Sequence, residues 1–357
     1  YLTQEGNRIY FSATLGFSDT EPWYTDGTEA GTVLLKDLEP AAGFSKPFHF
    51  INTDNTNFYF RTFNSSNARD IYKSDGTSAG TVKIVSGIQS EPMVLVNDIL
   101  YFVKNDAASG GIELWKYQTG AASRVKDIHP AGNSFPSTLT AFNNMLLFFA
   151  NDGTNGDELW KSDGTEAGTQ LVTDINPGAG GSVTYAKMKM LNNSMYLFAN
   201  KSGLLTLLKT DGTSAGTSQV KAFTANDNAD NLYLFNNALY FIKKNVVGSQ
   251  VNEELWRTDG TEAGTVLIKE LLPYTAVSAD YLKNISFFTH NGRFYFYMDV
   301  ENLFGETEQL YLCTSDGTTA GTNIIKSYSF PSDEEQEIPD DQSLIATYDN
   351  SQVLFVF

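Results

Sequence analysis

Apolar residues along this chain fall in short blocks bounded by turn formers, and nowhere do they take the i, i+3, i+4 spacing of an amphipathic helix. Val94-Leu95-Val96 meets Ile99-Leu100-Tyr101-Phe102 across Asn97-Asp98, and Tyr233-Leu234-Phe235 meets Ala238-Leu239-Tyr240-Phe241 across Asn236-Asn237. Asn and Asp tolerate the left-handed backbone of a two-residue hairpin, so these blocks predict antiparallel neighbours. In the stretch that follows Phe135, the pattern predicts strand A over 138–142, strand B over 145–150 and a polar loop. Strand C over 158–162, a turn, strand D over 169–174 and a Pro/Gly/Ser-rich link over 175–183 complete the unit.

That unit repeats. Asp-Gly-Thr-x-Ala-Gly-Thr begins at Asp26, Asp75, Asp163, Asp211, Asp259 and Asp316, with steps of 49, 88, 48, 48 and 57 residues. The long step hides a worn copy, Tyr117-Gln118-Thr119-Gly120, directly after Glu113-Leu114-Trp115-Lys116. Three residues before each turn stands a large residue: Trp23, Tyr72, Trp115, Trp160, Leu208, Trp256 and Cys313. Four short strands and a longer link per unit of about 48 residues predict an all-β fold, a β-propeller of four-stranded antiparallel blades. One domain over 1–357 is expected, with blades near 1–42, 43–90, 91–131, 132–180, 181–226, 227–275 and 276–333 and a partial unit over 334–357. Strand-like blocks at 344–348 and 352–357 leave two readings open, seven blades with a stub or an eight-bladed ring with an incomplete last blade.

Charge then narrows the partners. With 42 acids against 24 bases the formal net charge is −18, which disfavours nucleic acid and anionic membrane surfaces. No apolar run is long enough to cross a bilayer as a helix. The single cysteine, Cys313, has no partner for an internal disulfide, and His49, His129 and His290 fall in different units. The chain opens at Tyr1 without a leader, which suggests a processed or partial protein. The acidic stretch 332–341 reads as a solvated loop.

The residues that repeat read as architecture. The aspartates of the six turns, Asp26, Asp75, Asp163, Asp211, Asp259 and Asp316, are expected to accept backbone N–H groups in the C–D turn, with glycines relaxing the backbone. Trp23, Trp115, Trp160 and Trp256 are expected to pack between blades. No catalytic or cofactor-binding residue is assigned. Calcium is the one cation left open, through Asp152 and Asp157 in the loop Asn151-Asp152-Gly153-Thr154-Asn155-Gly156-Asp157-Glu158, whose spacing departs from the known calcium loop. Other B–C loops vary: 15–20, 64–69, 105–111 and 245–253. Six arginines occur, Arg8, Arg61, Arg69, Arg124, Arg257 and Arg293, and the first, second and last of them begin or end strand B in their units, so a sialidase-like cluster could form only in part.

The string Glu-Leu-Trp-Lys-Ser-Asp-Gly-Thr-Glu-Ala-Gly-Thr at 158–169, with Leu-Val-Thr-Asp-Ile-Asn-Pro-Gly at 171–178, resembles the ELWxxDGTxxGT repeat family of large bacterial secreted and surface proteins. The resemblance runs along nearly the whole chain, with Pro22, Leu208 and Cys313 as departures. It implies secretion and surface display, often in Bacteroidota with a type IX signal after the repeats, and it brings no catalytic residues. The turn also resembles the Asp box of sialidase-type propellers, which is structural there.

The resulting expectation is a non-catalytic extracellular or outer-membrane-associated module that binds a protein partner, within a secretion or adhesion complex. A glycan-binding propeller is the alternative, and a propeller hydrolase a lesser one. No Ser-His-Asp set or metal cluster is legible.

Overall fold

A computed structural model describes residues 2–355 apart from 16–18, 41–43, 54–56, 65–67, 90–91, 107–109, 185–187, 230–231, 248–249, 277–286, 302–306, 332–344 and 348–352. The acidic stretch 332–341 and the tips of several B–C loops lie outside these residues. Every described regular element is a strand. Seven antiparallel sheets of four strands follow one another in chain order, and a two-stranded ladder pairs Ile345–Thr347 with Val353–Phe355. This is the blade architecture of a β-propeller.

Blade 4 shows the pattern. Strands A (Ser137–Phe142), B (Met145–Asn151), C (Asp157–Ser162) and D (Gln170–Thr173) pair in order, with Phe142 opposite Met145 and Phe148 opposite Trp160. Blade 6 is longer. Its strand A is broken into Asp227–Ala229 and Tyr233–Phe235, followed by B (Ala238–Val247), C (Gln250–Thr258) and D (Val266–Ala276). The A–B hairpins close as the asparagines require: Asn97 and Asp98 have φ of 47° and 61°, and Asn236 and Asn237 of 45° and 56°. The worn copy in blade 3 is a two-residue hairpin too, with Thr119 at φ 54° and Gly120 at 86°, joining Gly111–Gln118 to Ala121–Arg124.

Antiparallel pairing gives each blade two ends. The A–B and C–D turns lie at one, and the B–C loops with the links to the next strand A lie at the other.

The chain divides into two compact units, Tyr1–Ser182 with blades 1 to 4 and Val183–Phe357 with blades 5 to 7 and the ladder. Within each unit, alternate strand residues face the neighbouring blade and interleave with it. In the first unit Tyr10, Phe58, Phe60 and Tyr72 form one such layer, and Tyr101, Phe148 and Trp160 belong to another. In the second, Phe198, Leu207 and Phe241 fill the layer between blades 5 and 6, and Tyr240, Phe294, Phe296 and Cys313 that between blades 6 and 7. Each buried ring stabilises the stack by roughly 2 kcal/mol.

Candidate functional site

The six repeated turns share one hydrogen-bond circuit. In blade 4, Asp163 Oδ1 accepts the Thr165 N–H (2.8 Å) and hydroxyl (2.7 Å), and Thr165 Oγ1 accepts the Gly168 N–H (2.9 Å). Thr169 donates its hydroxyl to the Thr165 carbonyl at 2.7 Å, which leaves Ser162 as the donor in their 2.8 Å hydroxyl pair. The same bonds recur at Asp26, Asp75, Asp211, Asp259 and Asp316. The threonine hydroxyl and then its N–H hold the carboxyls of Asp26, Asp75, Asp163, Asp259 and Asp316 below the ordinary aspartate value. A Cβ on Gly168 would run into the Asp163 carboxylate, so the turn closes only over glycine.

The glutamate of Glu-Leu-Trp has a role that the repeat did not disclose. Glu158 is fully buried, and its Oε2 accepts the Ile175 N–H and the Ser182 hydroxyl, both at 2.8 Å, while Oε1 accepts the Asn176 N–H. Glu113 clamps Ile128, His129 and Ser134 in the same way, and Glu21 clamps Leu38 and Ser45. Each glutamate therefore ties strand C to the link leading into the next blade. Burial is the largest influence on Glu113 and Glu158 and raises both carboxyls above the ordinary value. The signal in the sequence was a Gly-x-Ser in each link: Gly43-Phe44-Ser45, Gly132-Asn133-Ser134 and Gly180-Gly181-Ser182.

The tryptophans pack at the layers between blades under a lysine. Lys104 Nζ lies 4.7 Å from the Trp115 ring centre, Lys126 5.9 Å from Trp160 and Lys221 5.8 Å from Trp256, while Trp23 is partly buried against strand D. Asp152 is drawn into its own loop, Oδ1 accepting the N–H groups of Thr154 and Asn155 and Oδ2 the Asn155 amide. Asp157 opens strand C, and its backbone carbonyl accepts the Ser182 N–H. Among the described residues no group of three or more His, Cys, Asp or Glu is placed to hold a metal. The arginines are held locally: Arg8 lies over the Tyr24 ring, Arg61 donates to the Gln89 carbonyl, and Arg293 bonds Thr314.

One place departs from the repeat. Cross-strand register aligns Lys243, opposite Glu254, with Ala13, Thr62, Lys104, Ala150, Ala199 and Met298 in the other blades. Lys243 Nζ donates to Asp227 Oδ1 at 2.8 Å and Glu254 Oε2 at 3.0 Å, with the lysine side chain 6% exposed, Asp227 3% and Glu254 15%. Asn245 Nδ2 donates to Asp227 Oδ1 (2.9 Å), Asn252 Nδ2 to Glu254 Oε1 (3.2 Å) and the Trp256 indole to Glu254 Oε2 (2.7 Å). Thr224 supplies its N–H and hydroxyl to Asp227 Oδ2. Burial works hardest on Asp227 and would raise its carboxyl, but the Lys243 and Thr224 bonds together outweigh it and hold the group below the ordinary value. Strands A, B and C thus bring two carboxylates and one ammonium together at the B–C end of blade 6. Sequence reasoning missed it because Asp227 sits in a broken strand A and Glu254 reads as one more repeat glutamate.

No family model matches the chain, and no curated protein is similar to it by sequence. Solved structures are. One is a prolyl endopeptidase at 10% identity and a TM-score of 0.54, matched over 93% of this chain and 50% of its own. A second is oligopeptidase B from Leishmania major at 14% identity and 0.54, over 91% of this chain and 48% of its own. A third is a periplasmic gluconolactonase from Pseudomonas aeruginosa at 13% identity, over 98% and 99%, with a TM-score of 0.45 too low to argue from. The chain spans about half the length of the two peptidases. At these identities the likeness establishes the propeller fold and transfers no residue roles.

These comparisons correct the expectation of a non-catalytic binding module that is not an enzyme. The two solved structures above that resemble the chain at a TM-score of 0.54 are both enzymes, the prolyl endopeptidase and oligopeptidase B. The error has a physical source. The repeated residues are used for architecture, and the buried set of blade 6 depends on Asp227 and Glu254 reaching Lys243 from two other strands.

Proposed function

We propose that the chain is the propeller part of a hydrolytic enzyme acting on peptides, and that it receives its polar substrate at the B–C end of blade 6. The observation that carries this reading is the Lys243–Asp227–Glu254 cluster. Three ionised groups removed from water cost several kcal/mol each before pairing. The two peptidase structures support the substrate class, and the proposal assigns to this chain the half of those enzymes that it matches. In this role Lys243 fixes both carboxylates, and Glu254, the more exposed of the two, orients an N–H group of the substrate. Fluorogenic peptides incubated with the full-length natural protein should be cleaved, with kcat/KM falling about tenfold in Lys243→Met. Absence of cleavage across a broad peptide set would sink the reading.

We also propose display outside the cell, on the strength of the repeat resemblance and the net charge of −18. Protease shaving of intact cells should remove the protein, and full protection would count against this placement.

A further inference from the structure

Two side-chain amide oxygens on blade 6 find no donor among the described residues. Asn245 and Asn252 face one another across strands B and C, two positions beyond the Lys243 and Glu254 pair and on the same face of the sheet. Asn252 is 4% exposed, and Oδ1 of each asparagine is buried without a hydrogen-bond partner. Their orientation is dictated by charge. Asn245 Nδ2 donates to Asp227 and Asn252 Nδ2 to Glu254, and flipping either amide would set a carbonyl against a carboxylate. Both Oδ1 atoms must therefore turn away from the acids. Two neighbouring buried acceptors of this kind call for a ligand rich in donors.

The charge around them specifies the ligand further. Asp227 and Glu254 share the buried Lys243, Lys221 Nζ lies 5.8 Å from the Trp256 ring centre at the edge of the set, and Glu253 and Lys244 stand opposite each other in the same ladder. We propose that this face is a subsite for a primary ammonium of a peptide, its amino terminus or a lysine side chain, donating to Asn245 Oδ1 and Asn252 Oδ1. This rests on the peptide-hydrolase reading above. An ammonium carries three donors and can serve both Oδ1 atoms at once beside the Asp227 and Glu254 carboxylates, where a hydroxyl brings one donor. Asn245 and Glu254 stay partly exposed, whereas Asp227 and Lys243 are buried beneath them. The Trp256 indole N–H fixes Glu254 beside them.

Calorimetric titration of the full-length protein with three probes tests this. N-acetyl-lysine methylamide carries only a side-chain amine, alanyl-alanine amide only a terminal one, and N-acetyl-norleucine methylamide none. At least one amine probe should bind about tenfold or more tightly than the norleucine probe, as two charge-assisted hydrogen bonds imply, and which one binds identifies the source of the ammonium. Asn245→Leu and Asn252→Leu should each abolish that preference. Equal binding of all three probes, no binding of any, or a preference that survives both substitutions would overturn the subsite. Should either variant fail to fold, the comparison of probes on the natural protein decides alone. Amine preference without peptide cleavage would uphold the subsite and remove the hydrolase reading. Cleavage without amine preference would do the reverse.

Discussion

Lys243→Met is the most informative single change to the second unit. Methionine fits the stem of the lysine, so little packing is lost, but the Asp227 and Glu254 carboxylates are left facing each other without the ammonium that both now touch. Breaking a buried pair in this way costs about 3–5 kcal/mol, and the low exposure of Asp227 and Lys243 puts this site in that class. The pH dependence gives the cost a signature. In the natural protein the Asp227 carboxyl sits below its ordinary value, so its contribution to stability is present at neutral pH and is lost as pH falls through the folded value. With Lys243 gone, burial is no longer outweighed and the carboxyl should move above the ordinary value. The variant then loses stability as pH rises from about 4, and the gap between the two proteins should be widest near pH 7 and shrink toward pH 4. Urea unfolding with fluorine-labelled tryptophan can follow Trp256, since Trp23, Trp115 and Trp160 all lie in the first unit. A loss below about 1 kcal/mol at pH 7, or a gap unchanged by pH, would refute the account of these three residues as a buried charge cluster.

Glu158→Ala should lower stability by about 2–4 kcal/mol, because it strips acceptors from the buried Ile175 and Asn176 N–H groups and the Ser182 hydroxyl, whereas Glu158→Gln, whose oxygen can still accept from Ile175 and Ser182 but whose amide meets the Asn176 N–H, should recover part of the loss. Since burial raises the Glu158 carboxyl, its ionisation opposes folding: Glu158→Gln should flatten a fall in stability as pH rises through the folded value, and a steeper fall in the variant would contradict this. Asp163→Ala should cost about 1–2 kcal/mol through the lost Thr165 bonds, read as a drop in thermal midpoint, and Gly168→Ala should cost at least as much because its Cβ meets the same carboxylate. Trp160→Ala should cost about 3–5 kcal/mol by leaving a cavity against Phe148 and Leu146, and a loss under 1 kcal/mol would mean that the ring is not a packing element.

The propeller blade was legible in the chain because each of its parts is local. A hairpin across Asn236-Asn237 or a turn over Asp163 to Thr169 is decided by residues within seven positions, and repetition multiplies the signal. The Glu158 clamp was half legible: its glutamate and Ser182 both recur, but 24 residues separate them, and only pairing strand C with the link brings them together. The blade 6 cluster was not legible. Lys243 shares its position with Lys104 of blade 3, which lies over Trp115, and a lysine in a strand carries no local mark of burial. Its meaning depends on Asp227 and Glu254 arriving from two other strands, and on Asn245 and Asn252 meeting across the ladder. Sequence by itself determined the repeat, the strands and the turn chemistry, since those follow from short-range sterics and hydrogen bonding. Only the tertiary structure decided which charges lie buried together, because desolvation and pairing are properties of the packed sheet.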